Sequence, residues 1–246
     1  MQTPDQIHKT TRLGMLTPSS NTILEPVTAS MLTSVPHVTA HFSRFPVTEI
    51  ALSPAALGQF DDSHILRAAE LLAHAKVDVI AWNGTSASWI GFASDERLCA
   101  RITAATGIPA CTTVLAYRAL FRRLGARRVG LVTPYTDDVQ ARIQANWSEF
   151  GCVAERHLGI ADNFAFAEVT PDAIGAMTRE VAVIGCDAIV ILCTNMNGAA
   201  ISARLETDLN VPVLDSVAVT LWACLGAVGL DPGIVKGWGR VFQIPA

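Results

Sequence analysis

Arg12-Leu-Gly-Met-Leu-Thr-Pro18 returns as Arg128-Val-Gly-Leu-Val-Thr-Pro134. Each copy is a short apolar run that stops at proline, which cannot supply a ladder N–H and so ends a strand. Two further landmarks recur at a nearly constant offset: Asp78 with Asp187, and Pro109 in Gly-Ile-Pro-Ala with Pro212 in Asn-Val-Pro-Val. A repeat of this length is a duplicated domain and not a solenoid of short units. Strand-like runs lie at 37–45, 77–82, 108–112 and 128–133. Helical spacing runs over 53–75, 95–106 and 114–124, the last two ending at Gly107 and Gly125. Strands alternating with helices predict an α/β fold of two pseudo-symmetric lobes, each a parallel sheet flanked by helices. Residues 1–125 form the first lobe and 126–246 the second. Gly125-Ala-Arg-Arg128 is the crossover, and the C-terminal segment returns toward the first lobe. The strand ends then surround one cleft, where open α/β sheets bind ligands.

Composition narrows the function. The chain has 246 residues, 50% hydrophobic and 16% charged, with net charge −4. That excludes disorder and gives no attraction for nucleic acid or an anionic membrane. Low charge with a mean hydropathy of +0.36 points to apolar surface buried between subunits of a homo-oligomer. No uncharged apolar run reaches the roughly 18–20 residues of a membrane helix. The polar stretch 1–12 lacks the apolar core of a signal peptide, so a cytoplasmic location is expected. The cysteines at 99, 111, 152, 186, 193 and 224 contain no CxxC pair, and no histidine stands at ligand spacing. Neither a metal site nor a disulfide framework is expected.

Cys193 is the strongest candidate for chemistry. Asp187-Ala-Ile-Val-Ile-Leu-Cys-Thr-Asn-Met-Asn-Gly198 reads as an acidic starter, a buried strand, a thiol at the strand's carboxyl end, then small polar residues. Asp78-Val-Ile-Ala-Trp-Asn-Gly-Thr-Ser-Ala-Ser88 has the same shape without the thiol. Four loops follow strands: Pro18-Ser-Ser-Asn-Thr22, Asn83-Gly-Thr-Ser86, Thr133-Pro-Tyr-Thr-Asp-Asp138 and Cys193-Thr-Asn-Met-Asn-Gly198. All offer hydroxyl and amide groups just before a helix. Such residues are ordinary helix caps, yet four matched sets also suit an anion. The loops carry no Arg or Lys, and no phosphate or dinucleotide fingerprint is present. A small-molecule carboxylate, stabilised further as it becomes an enediolate, is the ligand that neutral donors favour. Trp82 and Trp89 flank the second loop, either packing or lining an apolar pocket. Asp137 and Asp138 read as helix-start acids.

These motifs resemble the aspartate/glutamate racemase superfamily. Pro18-Ser-Ser-Asn-Thr, Gly84-Thr-Ser, Tyr135-Thr-Asp-Asp-Val139 and Leu192-Cys-Thr look most like its arylmalonate decarboxylases and maleate cis–trans isomerases, over about 12–242. The resemblance implies two α/β lobes, no metal and no cofactor. Cys193 matches the second of two cysteines found in racemases and isomerases, and Gly84 stands where the first would fall. Arylmalonate decarboxylases also have glycine there. By resemblance Gly84, Thr85, Ser86 and Tyr135 form a dioxyanion hole for one carboxylate, and Thr194, beside the thiol, is expected to bind that carboxylate too. Ser19, Asn21, Asn163 and Asn195 look like the substrate contacts of the isomerase branch. The reaction expected is decarboxylation of a malonate-type diacid, because that needs one proton donor, while racemisation needs a group on each face of the carbon. An isomerase or racemase acting on a small dicarboxylate or amino-acid derivative is the alternative. A carboxylate binder without catalysis is a third.

Overall fold

A computed structural model describes residues 10–59 and 62–246. The polar stretch 1–12 therefore falls largely outside the described residues.

The first sheet joins β1 (Thr11–Pro18), β2 (Val38–Phe45), β3 (Val79–Trp82) and β4 (Ala110–Thr112) in the order β2-β1-β3-β4. The second joins β5 (Val129–Thr133), β6 (Cys152–His157), β7 (Ala188–Ile191) and β8 (Val213–Asp215) in the order β6-β5-β7-β8. Every pairing is parallel. The sequence repeat becomes a repeat of hydrogen bonds. Asp78 accepts from the Arg12 N–H at 2.8 Å, and Asp187 from the Arg128 N–H at 2.9 Å. The Asp78 and Asp187 N–H groups return bonds to the Arg12 and Arg128 carbonyls. Gly14 and Gly130 recur because a helix and its following loop press on both strands. A Cβ at residue 14 would meet Val77 at 2.9 Å, and one at residue 130 would meet Val181 at 2.3 Å.

Helices cover the sheets. The first half carries α1 (Leu24–Leu32), α2 (Pro54–Gly58), α3 (Asp62–His74), α4 (Ala87–Ile90), α5 (Phe92–Thr106) and α6 (Thr113–Leu124). The second carries α7 (Asp137–Asn146), α8 (Pro171–Ala182), α9 (Ala199–Leu209) and α10 (Ser216–Ala227). The continuous helix expected over 53–75 is two helices instead, with residues 60 and 61 outside the described set. Gln59 ends the first by folding back: its Oε1 accepts from the Thr48 N–H at 2.7 Å, and its Nε2 donates to the Glu49 carbonyl at 3.1 Å.

α10 crosses to the first sheet, and the Tyr117 side chain of α6 reaches the second. α10 is apolar nearly all round, and such a helix must be buried on every side. It packs on β3, β4 and α6 of the first sheet, and Thr220 shares a 2.6 Å hydrogen bond with Thr113. In return Tyr117 of α6 donates toward the Ile191 and Leu214 carbonyls, 3.2 and 3.1 Å away, and meets Ser216 at 2.9 Å. A strap over 46–50 closes one side of the cleft. The Ile50 N–H donates to the Ala161 carbonyl, and the Asn163 N–H to the Thr48 carbonyl.

Candidate active site

β7 ends at Ile191, and Cys193 follows two residues later, 3% exposed. Its Sγ accepts the Asn195 N–H at 3.3 Å. Burial pushes the thiol up to about 12, against the partial relief of N–H donors from Asn195 and Met196 and the Tyr135 hydroxyl; the Asp215 carboxylate adds to the rise. The group is therefore a protonated thiol at neutral pH. The backbone donors come from a turn before α9, not from the helix start itself.

Facing it, β3 delivers Gly84, Thr85 and Ser86. Thr85 Oγ1 and the Tyr135 hydroxyl lie 2.6 Å apart, so residues from both halves of the chain form one hydroxyl cluster. Burial, and then the neighbouring thiol, raises the Tyr135 hydroxyl well above its ordinary value, so it remains a donor. Ser86 precedes α4 yet makes no capping bond with its side chain. Its hydroxyl is left for another partner. Pro18, Thr194, Asn163, Trp82 and Trp89 complete the wall, with Val47 and Ile50 of the strap closing it. The enclosed space is only about 20 Å³, enough for one water-sized group. Cys193 is the one cysteine lining it among the described residues.

Gly84 stands two residues past β3, the place that Cys193 has past β7. A Cβ there would lie 1.9 Å from the Trp82 indole. The six-membered ring of Trp82 thus fills the space that a first-lobe thiol would need.

The asparagines behave differently from the hydroxyls. Asn21 Oδ1 accepts the Ile23 and Leu24 N–H groups at 3.0 and 2.9 Å, capping α1. Asn195 Oδ1 accepts the Thr22 and Ile23 N–H groups at 2.9 and 3.3 Å, reaching the same helix end from the other sheet. The amide nitrogens are also engaged, Asn21 to Thr194 Oγ1 at 3.1 Å and Asn195 to the Asn163 carbonyl at 2.6 Å. The Thr194 hydroxyl donates in turn to the Asn83 carbonyl at 3.0 Å. Asn163 lines the cavity while donating to Ser20 Oγ at 2.7 Å. Ser19 is exposed and turned to the Val47 backbone. Asn21, Asn195 and Ser19 thus brace the site, and Asn163 and Thr194 border it.

Asp215 escaped the sequence reading, because an aspartate between a strand and a helix reads as a cap. It does cap α10, accepting from the Val217 and Ala218 N–H groups at 2.8 and 3.2 Å. It is also fully buried, its Oδ2 has no partner among the described residues, and burial pushes it up to about 7. No group of three or more metal-ligating side chains gathers among the described residues, and no described helix is long and apolar enough to cross a membrane.

A sequence family described as arylmalonate decarboxylase matches residues 15–242. An arylmalonate decarboxylase of Bordetella bronchiseptica is 32% identical over 170 residues, covering 67% of this chain and 71% of that protein. A maleate isomerase of Pseudomonas putida is 28% identical over 247 aligned residues, covering 94% of this chain and 97% of that protein. The crystal structure of a maleate isomerase of Pseudomonas putida S16 with maleate superposes with a TM-score of 0.86 at 26% identity, over 95% of this chain and 98% of that one.

Proposed function

The chain belongs to the arylmalonate decarboxylase family, and from that premise we propose that it decarboxylates a malonate-type diacid with one cysteine as proton donor. The observation that carries this reading is the Trp82 ring over Gly84, which leaves Cys193 as the single thiol facing the cavity. One carboxylate of the substrate takes hydrogen bonds from Thr85, Ser86 and Tyr135. The other lies against the apolar side chains of Trp82, Trp89, Val47 and Ile50, where a charge lacks solvation and its loss as carbon dioxide is favoured. The electron pair of the broken carbon–carbon bond passes into the retained carboxylate as an enediolate. Preorganised donors stabilise that developing charge. The Cys193 Sγ–H then gives its proton to the carbon. The thiolate left behind is held by the Asn195 and Met196 N–H groups and the Tyr135 hydroxyl, and water restores the proton.

Isomerisation of a cis-alkene diacid by thiol addition is the second reading, favoured by Asn163 in the cavity wall and by relatives of near full length that are named maleate isomerases. It requires a thiolate nucleophile, which the burial of Cys193 opposes.

Cys193→Ala tests the proposal. Carbon dioxide release from phenylmalonate should fall by several orders of magnitude, with the circular dichroism spectrum unchanged. Near parental turnover in this variant would remove the cysteine from the mechanism.

A further inference from the structure

Two cysteines outside the catalytic cavity meet each other. Cys111 Sγ of β4 and Cys224 Sγ of α10 lie 3.9 Å apart, though 113 positions separate them in the chain. Neither lines the catalytic cavity. Their segments are held together by α10 packing on β4 and by the 2.6 Å hydrogen bond between Thr113 and Thr220. The sulfurs of a disulfide are about 2.05 Å apart, so a closing of about 2 Å, by rotation of the two side chains, forms one. The two thiols differ in access. Cys111 is half-buried and borders a cavity of about 490 Å³, walled by Leu115, Ala119 and Trp222. Cys224 is fully buried and does not border it. A small oxidant that enters the cavity therefore meets Cys111 first, with Cys224 as the neighbouring thiol.

We propose that Cys111 and Cys224 form a redox modification site, at which a small organic hydroperoxide converts the thiol pair into a disulfide. The Cys111 thiolate attacks one peroxide oxygen, the O–O bond breaks, and the alkoxide leaves and takes up the proton that the thiol released. Cys111 is then a sulfenic acid. Cys224 attacks its sulfur, the S–O bond breaks, and hydroxide leaves with the Cys224 proton as water. The sulfurs lose two electrons and the hydroperoxide gains two, giving one disulfide, one alcohol and one water. The bridge closes a loop that contains the whole second sheet, so it constrains the unfolded chain and stabilises the folded one. It forms slowly at neutral pH. The hydrogen bond with Cys224, and then burial, raise the Cys111 thiol well above its ordinary value, so the attacking thiolate is scarce and accumulates as pH rises. Glu96 and Cys99 of α5 are the other titratable groups lining the cavity, and Cys99 is the competing thiol.

The test treats the folded protein with tert-butyl hydroperoxide at pH 9, quenches it with N-ethylmaleimide and digests it without reduction. Mass spectrometry should find the peptides bearing Cys111 and Cys224 joined, lighter by two hydrogens than their sum, and dithiothreitol should separate them. The oxidised protein should unfold about 5–15 °C above the reduced one. Cys111→Ser and Cys224→Ala should each remove both the cross-link and the shift. A bridge between Cys99 and Cys111 overturns the proposal. So does a Cys111 sulfinic acid beside an alkylated Cys224, or alkylation of both cysteines after treatment. If either variant fails to fold, the peptide map of the unsubstituted protein decides alone. The outcome is independent of the decarboxylase reading, since the cross-link is read by mass and not by turnover.

Discussion

At the scale of single residues, the state of one thiol decides between chemistries. Burial holds Cys193 protonated up to about 12, so as a proton donor it is ready at every ordinary pH. As a nucleophile it would gain about tenfold in rate per pH unit as thiolate accumulates. The hydroxyl cluster across from it should carry the largest share of charge stabilisation. Thr85→Ala and Tyr135→Phe should each lower kcat/KM by about 2–4 kcal/mol of transition-state energy. Steady-state kinetics that show parental values for both would place the carboxylate elsewhere. That Cys193, Thr85 and Ser86 meet at one cavity was legible in the sequence because each follows a strand of the repeated unit, although the hydroxyl residues read equally well as helix caps. Trp82 was not legible as a blocking group. Its ring crosses back over Gly84, and only coordinates show which way a strand-end aromatic turns. A side chain added at Gly84 would meet this ring.

At the scale of elements, α10 packed on the first sheet and the Tyr117 side chain of α6 reaching the second tie the two sheets together. The Tyr117 hydroxyl lies between two strand-end carbonyls and Ser216, all buried. Tyr117→Phe removes a donor from acceptors that water cannot reach, which costs about 1–3 kcal/mol. Urea unfolding should show that loss in the midpoint, and an unchanged midpoint would mean the joint depends on apolar packing alone. The repeat of Arg-x-Gly-x-x-Thr-Pro predicted both sheets because the glycine, the aspartate starters and the proline stops each do one local job twice. Helix α1 left no comparable signal. Pro26 lies in its first turn, where proline is tolerated, but proline also reads as a breaker. The helix end before Gln59 was hidden for the opposite reason: apolar spacing continues through 53–75, while the Gln59 side chain bonds to Thr48 and Glu49.

At the scale of the whole molecule, two buried acids give the fold a pH signature. Burial raises Asp95 and Asp215 from 3.8 to about 7. A carboxyl group raised in the folded state favours folding when protonated, so its contribution is complete below about pH 4 and fades as pH rises toward 7. Asn at 215 can still accept the Val217 and Ala218 N–H groups and has no charge to bury. Between pH 5 and pH 8, Asp215→Asn should lose less stability than the parent, by about 1–3 kcal/mol. Parallel urea titrations at the two values measure it, and equal losses would mean that Asp215 is solvated in the folded state.

The most direct test follows the substrate carbon itself. Phenylmalonate, 4-hydroxyphenylmalonate and maleate are incubated separately with the protein in deuterated water and followed by NMR. A single protonated thiol predicts loss of carbon dioxide from the malonates, one deuterium at the α-carbon of each product, no later exchange at that carbon, and no change in maleate. Conversion of maleate to fumarate with the malonates untouched would contradict it.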